Sequence, residues 1–309
     1  MTLRLAYTIS GQPRFVRECA QSHRDVINTF VEEGWQVDVY LQSWLNTEHT
    51  KRPQNQPLSG HRIGDTEQFD KPTVTKMLQE EFGKYRPTVA VLDYHQWSIQ
   101  RRNAFDHIGI DTRHQESWSI HPQIYAHSIN AQSIQDTFIE YDIVIKARYD
   151  CAILRPKQIV RGPGHGYSAM STRTAEVDPF IPDMLVERIG AYGLPNIRDL
   201  VIIGNHRAMV TNYSPKTVEY AQRQLWDNET IRRQVTGGKL RATAGWYIPQ
   251  IFSEHAAQVK QWPHQHDGVY QLYRRWHADH NWDIKQNKEA WAKFDSEMVK
   301  NEKYKANNI

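Results

Sequence analysis

The chain has 309 residues, 39% of them apolar and 24% charged, with a formal net charge of +3 at pH 7. That composition supports a substantial core and excludes wholesale disorder, and the mild basicity lacks the dense cationic stripe of a dedicated DNA-binding domain. No apolar run approaches the length of a membrane-spanning helix. The two cysteines, Cys19 and Cys151, sit in no CxxC pair and are too few for a structural zinc site, so they read as buried thiols in a reducing compartment. The first residues show no signal-peptide core, which points to a cytoplasmic location.

Residues 3–9 predict a short strand, cut off at once by Ser10-Gly11-Gln12-Pro13. Residues 15–30 then carry helical spacing through Val16, Cys19, Ala20, His23, Ile27 and Phe30. Gly34 ends that helix, and residues 37–41 (VDVYL) predict a second strand. A strand, loop, helix and strand in this order open a parallel α/β sheet with a right-handed crossover. The polar stretch 42–72 has no period and reads as a long loop. A short helix is expected over 73–82 and a third strand over 89–92. A helix is expected over 115–138, with Ile124, Tyr125, His127, Ser128, Ala131 and Ile134 along one side, and a strand centred on 143–145. Residues 161–174 form a Gly-rich loop, 197–204 a strand-like run, and 214–228 a helix opened by Ser-Pro. A short helix over 248–259 and a polar helical tail over 269–304 complete the chain, with fraying from residue 300.

Two constellations carry candidate chemistry. The first is Ser10-Gly11-Gln12-Pro13-Arg14, which follows the first strand of an α/β sheet, the usual place for a ligand. Gly11 lets backbone approach closely, the next helix N-terminus favours phosphate, and Arg14 and Arg17 add direct phosphate contacts; a tight turn with a solvated Arg is the competing reading. The second is Arg148-Tyr149-Asp150 at the end of the apolar run 143–145. That run does not alternate, so the strand is expected to be covered on both faces. In an extended chain Arg148 and Asp150 point the same way. An Asp there can bind a hard divalent cation that also contacts a diphosphate, with Arg148 sharing that work or holding Asp150. An internal ion pair at a strand end accounts for the same residues.

Together these motifs carry a resemblance. An SGQPR loop after the first strand, the strand Val37-Asp38-Val39-Tyr40-Leu41-Gln42-Ser43-Trp44, the helix step Gln123-Ile124-Tyr125-Ala126-His127-Ser128-Ile129 and the strand IEYDIVIKARYD fall in one order. That order resembles a group of GT-A-like glycosyltransferases common in viruses, phages and bacteria, and the likeness covers about residues 3–215. The resemblance implies a Rossmann-like α/β fold with a mostly parallel central sheet, a nucleotide-sugar-binding catalytic domain over 1–245, and a helical C-terminal extension over 246–309 packed on or flanking it. It implies an enzyme, a hexosyl- or pentosyltransferase that passes a sugar from a nucleotide-diphosphate donor such as a UDP-sugar to a hydroxyl. Ser10, Gly11, Gln12, Arg14 and Arg148 would line the nucleotide, and Asp150 would bind Mn or Mg beside the diphosphate. Asp199, in the run Arg198–Asn205, would contact sugar or acceptor or serve as the general base, and His206 is a further base candidate. This chain departs from the group's pattern in two places: Arg148-x-Asp150 stands where GT-A enzymes carry Asp-x-Asp, and no aromatic follows Asp199. If the source is viral, the location is the host cytoplasm.

The acceptor is left open between a saccharide, a lipid-linked sugar, a protein hydroxyl and a hydroxymethylated base in phage DNA, flipped from the duplex. Arg232, Arg233, Lys239, Arg241, Arg274 and Arg275, interleaved with Trp246, Tyr247, Trp262, Tyr273 and Trp276, suit nucleic acid. They equally suit a sugar polymer or a helical cap. The run Gly237-Gly238-Lys239-Leu240-Arg241 could hold a phosphate or be an ordinary turn. His264, His266 and Asp267, and His277, Asp279 and His280, read as solvated polar residues rather than metal ligands. A non-catalytic α/β protein that holds a nucleotide or nucleic acid is the alternative from another class.

Overall fold

The computed structural model describes residues 2–45, 70–107, 121–154, 184–186, 201–211, 213–216, 218, 259–261, 270–272, 283–290, 292–293 and 296. Outside these residues lie Asp199, the loop 161–174, most of the expected helices over 214–228 and 248–259, the run 237–241, the arginines and aromatics of the C-terminal third named above, and both His-rich segments.

The first unit is β1 (Arg4–Gly11), α1 (Val16–Glu32) and β2 (Gln36–Leu45). Helix α1 stops where Gly34 adopts φ 88°; the Gly34 N–H donates to the Val31 carbonyl at 3.0 Å and the Trp35 N–H to the Phe30 carbonyl at 3.0 Å. This paired arrangement satisfies the last carbonyls of the helix and needs a residue that tolerates positive φ. Phe30 and Trp35 meet edge to face across it, with ring centroids 5.3 Å apart. Downstream come α2 (Lys71–Phe82), β3 (Thr88–Asp93), α3 (Tyr94–His107), α4 (His121–Gln135), β4 (Ile143–Ala147), β5 (Cys151–Ile153), β6 (Met184–Val186), β7 (Ile202–Gly204), β8 (Val259–Gln261), β9 (Tyr270–Leu272) and α5 (residues 284–290).

The fold is mixed α/β around a seven-stranded sheet in the order β3-β2-β1-β4-β7-β6-β8. β3, β2, β1 and β4 run parallel, β7 alone is antiparallel to its neighbours, and β6 and β8 return to the common direction. The mostly parallel sheet is the one the sequence predicts. β1 lies near its centre, with Leu5 opposite both Val37 and Ile143, and its residues 5–10 are buried, which is why it reads as a nearly continuous apolar run. On one face α1 and α2 pack Val26, Ile27, Phe30, Val74 and Leu78 against Leu5, Tyr7, Ile9, Leu41 and Ile145. Burial of this kind makes Phe30 worth about 3–5 kcal/mol against alanine. α4 lies on β1 and β2 with Ile124, Ala126, Ala131 and Ile134 buried.

Three boundaries differ from the sequence reading. β2 continues through Gln42, Ser43, Trp44 and Leu45, all buried, because β1 pairs with it as far as Ser43 and β3 as far as Leu45; polar lettering hid a buried strand end. α3 is not expected from periodicity, since its apolar residues follow no clear stripe, but Asp93 marks its start by accepting from the Gln96 N–H at 2.9 Å. The stretch from residue 246 contributes strands as well as helix. β8 pairs with β6 at the sheet edge, β9 pairs with β5, and α5 seats Ile284 on Cys19, Ala152 and Leu154 while Lys288 pairs with Asp25 on α1. Cys19 and Cys151 are buried and unbridged, as expected, and burial raises the Cys19 thiol pKa, with Cys151, Asp150 and Glu18 adding to the effect. Among the described residues no helix is long and apolar enough to cross a membrane.

Candidate active site at the carboxyl edge of the sheet

From β1 the chain moves to β2 and then β3 on one side, and later returns to β4 on the other side of β1. The reversal makes the β1/β4 boundary a topological switch point, where open α/β sheets form a crevice at the carboxyl ends of their strands. Two segments flank that crevice: Ser10–Phe15, from the last residues of β1 onward, and Arg148–Cys151 after β4.

The first segment turns sharply. Gly11 has φ 124°, a conformation that favours glycine, although a Cβ there would meet nothing within 4 Å. Its N–H donates to Gln42 Oε1 at 3.2 Å, across the register in which Ser10 faces Gln42. The Arg14 N–H donates back to the Gln12 carbonyl at 2.8 Å, and Phe15 follows with φ 53°. α1 starts next, with no side chain capping its first turn. The second segment is a tight turn closed by the Cys151 N–H on the Arg148 carbonyl at 3.2 Å. Ser22 of α1 ties that helix to β5, which follows the turn: its hydroxyl donates to the Cys19 carbonyl at 2.7 Å and accepts from the Ile153 N–H at 2.9 Å.

The two segments meet at Asp150, which is 3% exposed. Arg148 Nε donates to Oδ1 and Arg148 Nη2 to Oδ2, each at 2.9 Å, a two-pronged clasp. Arg14 Nη2 reaches Oδ2 from the other segment at 3.3 Å. Two histidines lie buried on opposite faces of the sheet. His23, under the second segment, bonds the Tyr7 hydroxyl through Nδ1 at 2.8 Å. Burial holds its pKa down to about 4, against the opposing pull of the Arg148 carbonyl and the Asp150 charge. His127 on α4 lies 3.4 Å from the Thr8 hydroxyl through Nδ1 and 3.2 Å from the Met209 carbonyl through Nε2. The carbonyl requires the Nε2–H tautomer, so Thr8 donates. Burial first, and the cation of Lys146 second, lower the pKa of His127 to about 3. Both rings are therefore neutral at pH 7. Asn130, also on α4, donates to the Ile9 carbonyl at 3.0 Å.

Of the residues singled out from sequence, Ser10, Gly11, Gln12, Arg14, Arg148 and Asp150 thus come together at one crevice. His206 does not. Because β7 is antiparallel, with Ile202 opposite Lys146 and Gly204 opposite Val144, the residue after it emerges at the amino edge of the sheet. There His206 stacks on Tyr141 with an interplanar angle of 13° and accepts the Tyr141 N–H at 3.3 Å. Tyr141 in turn donates to Asp38 at 2.8 Å and shares a 2.8 Å hydrogen bond with Tyr40. From Tyr141 to Arg148 is about 20 Å of extended strand, so His206 lies at the opposite edge of the sheet from this crevice. The same reversal makes β7 start at the carboxyl edge, where the described chain resumes at Val201, two residues after Asp199.

The residues present do not fit a divalent cation held by Asp150. Both its oxygens already accept guanidinium hydrogens, and among the described residues no three His, Cys, Asp or Glu side chains come together. Sequence reading also passed over Gln42 and His23. Gln42 is fully buried, uses its oxygen on Gly11, and keeps an Nε2 without a hydrogen bond. Its visible sign is an amide at the end of the apolar run VDVYL, where a parallel strand reaches the ligand edge.

No family model matches the chain, and no curated protein sequence matches it. Among solved structures, mouse xyloside xylosyltransferase 1 in its apo form is similar over 84% of this chain and 85% of that one, with 10% identity and a TM-score of 0.39. The glycosyltransferase GlyE of Streptococcus pneumoniae TIGR4 is similar over 85% of this chain and 46% of that one, with 10% identity and a TM-score of 0.34. A glycosyltransferase involved in glycosylation of the major capsid of PBCV-1 is similar over 94% of this chain and 98% of that one, with 10% identity and a TM-score of 0.32.

Proposed function

We propose that the chain is a glycosyltransferase that moves a sugar from a nucleotide-diphosphate donor to a hydroxyl acceptor. The observation that carries this reading is the convergence of the Ser10–Arg14 loop and the Arg148–Asp150 turn on the switch-point crevice, joined by the 3.3 Å pair between Arg14 and Asp150. A glycine turn, an uncapped helix start and two guanidiniums at that point suit a diphosphate. In the proposed reaction the bond from the anomeric carbon to the diphosphate breaks, its electron pair leaving with the phosphate oxygen. The acceptor oxygen bonds to that carbon and gives its proton to a base. Asp199, which lies outside the described residues, is our candidate for the base on the sequence resemblance alone.

The acceptor class we carry forward is a saccharide or a hydroxymethylated base in DNA. The test is a panel of UDP- and GDP-hexoses and pentoses, incubated with the full chain and either an oligosaccharide mixture or hydroxymethylcytosine-containing DNA, with released nucleotide and product mass as readouts. Release with one donor class and a mass gain on one acceptor are expected. Asp199→Ala should cut turnover by about 10²–10⁴-fold, the usual contribution of a general base. No release from any donor, with no shift in thermal stability, would sink the transferase reading.

A further inference from the structure

We propose that Arg14 and Arg148, held in place by Asp150, grip the donor diphosphate directly, and that the site works without a divalent cation. This inference rests on the glycosyl-transfer reading above and says how that site meets the charge of the leaving group. Arg148 occupies both oxygens of Asp150 at 2.9 Å and Arg14 adds a third contact at 3.3 Å. A cation bound to either oxygen would sit against a guanidinium, and like charges at that spacing repel. A hard cation also needs several further oxygen ligands, and no group of three His, Cys, Asp or Glu side chains forms among the described residues.

The same geometry suits an anion. The two arginines come from the two segments that flank the crevice, so a group lying in it meets both. A guanidinium is a planar fork whose paired N–H groups match the oxygens of a phosphate. Asp150 is then a positioning residue. It fixes the plane of Arg148 and draws Arg14 across from the other segment, and at 3% exposed it is screened from solvent. Cations preset in this way stabilise charge developing on the departing diphosphate without rearranging as the bond breaks. The Arg-x-Asp pair, read against an Asp-x-Asp pattern, is on this view the exchange of a metal ligand for a cationic side chain.

The test uses the full chain and calorimetric titration with UDP and with GDP, in EDTA and again in manganese chloride. One nucleotide is expected to bind in EDTA with a Kd within about threefold of its value in manganese, and Arg148→Lys, which keeps the charge but loses the fork, to weaken it about tenfold or more in both buffers. Wild-type binding that appears with manganese and vanishes in EDTA would overturn the metal-free grip and leave the transferase reading standing. Full affinity in Arg148→Lys would overturn the role of the fork. Absence of binding by either nucleotide in both buffers would overturn the transferase reading and this inference with it.

Discussion

Removing the carboxylate of Asp150 leaves two guanidiniums facing each other with their shared counter-ion gone. The side chain of Asp150 is 4% exposed, that of Arg148 14% and that of Arg14 24%. Breaking a buried pair from one side costs about 3–5 kcal/mol, and the partial solvent access of the arginines puts Asp150→Ala near the lower end, about 3 kcal/mol. Unfolding entropy of about 2.1 cal/mol/K per residue, applied to 309 residues, converts this to a fall in melting temperature of about 4–5 °C. Arg148→Met should cost less, since Arg14 still reaches the carboxylate. The double variant Arg148→Met/Asp150→Ala should lose less than the two single losses added, with a coupling of about 1–3 kcal/mol. Calorimetric melts and urea titrations of the four proteins at pH 7.5 measure the cycle. A melting temperature for Asp150→Ala within about 1 °C of the wild type, or additivity within about 0.5 kcal/mol, refutes the claim that Asp150 holds the arginines.

Other expectations follow from the same geometry. His23 and His127 have folded pKa values lowered to about 4 and about 3, so the unfolded chain binds protons that the folded chain refuses. Their contribution is intact above the unfolded value near pH 6.5 and is lost as pH falls towards pH 4 and pH 3. Between pH 7.5 and 5.5 urea titration should show a loss on the order of 1 kcal/mol for each ring, and replacing either with Gln should remove its share of the slope. Gly34→Ala should lower stability by about 1 kcal/mol through the helix end alone, leaving nucleotide affinity unchanged in calorimetric titration. Gly11→Ala, strained by its φ of 124° rather than by crowding, should lower both. His206→Ala should keep donor turnover within about twofold, because the ring lies about 20 Å of strand away from the crevice; a loss of a hundredfold would restore it as a base.

The opening strand, helix and strand, the strand β4 and the two motif segments were legible in sequence because they follow from local rules. Alternation lost over 143–145 marks a strand enclosed on both sides, helical spacing from Val16 to Phe30 marks α1, and a glycine marks its end. Arg148 and Asp150 are two residues apart, so their meeting is a local matter as well. Boundaries set by pairing were not legible: β2 runs on to Leu45 because β1 pairs with it to Ser43 and β3 to Leu45, and no property of Gln42 or Ser43 alone shows that.

Strand direction decides where His206 lies. A short apolar run such as Ile202–Gly204 reads the same in either direction, and the choice is made by which neighbours satisfy its backbone hydrogen bonds. Between β4 and β6 it runs antiparallel, and this carries His206 to the far edge. The meeting of Arg14 with Asp150 across 136 residues is equally a product of the sheet order, since it needs β1 and β4 side by side. The sequence by itself determined which side chains could bind a diphosphate. Only the tertiary structure decided which of them share a crevice and that the carboxylate there is already held by two cations, because contacts between distant segments are settled by packing and hydrogen bonding of the whole sheet rather than by any local preference.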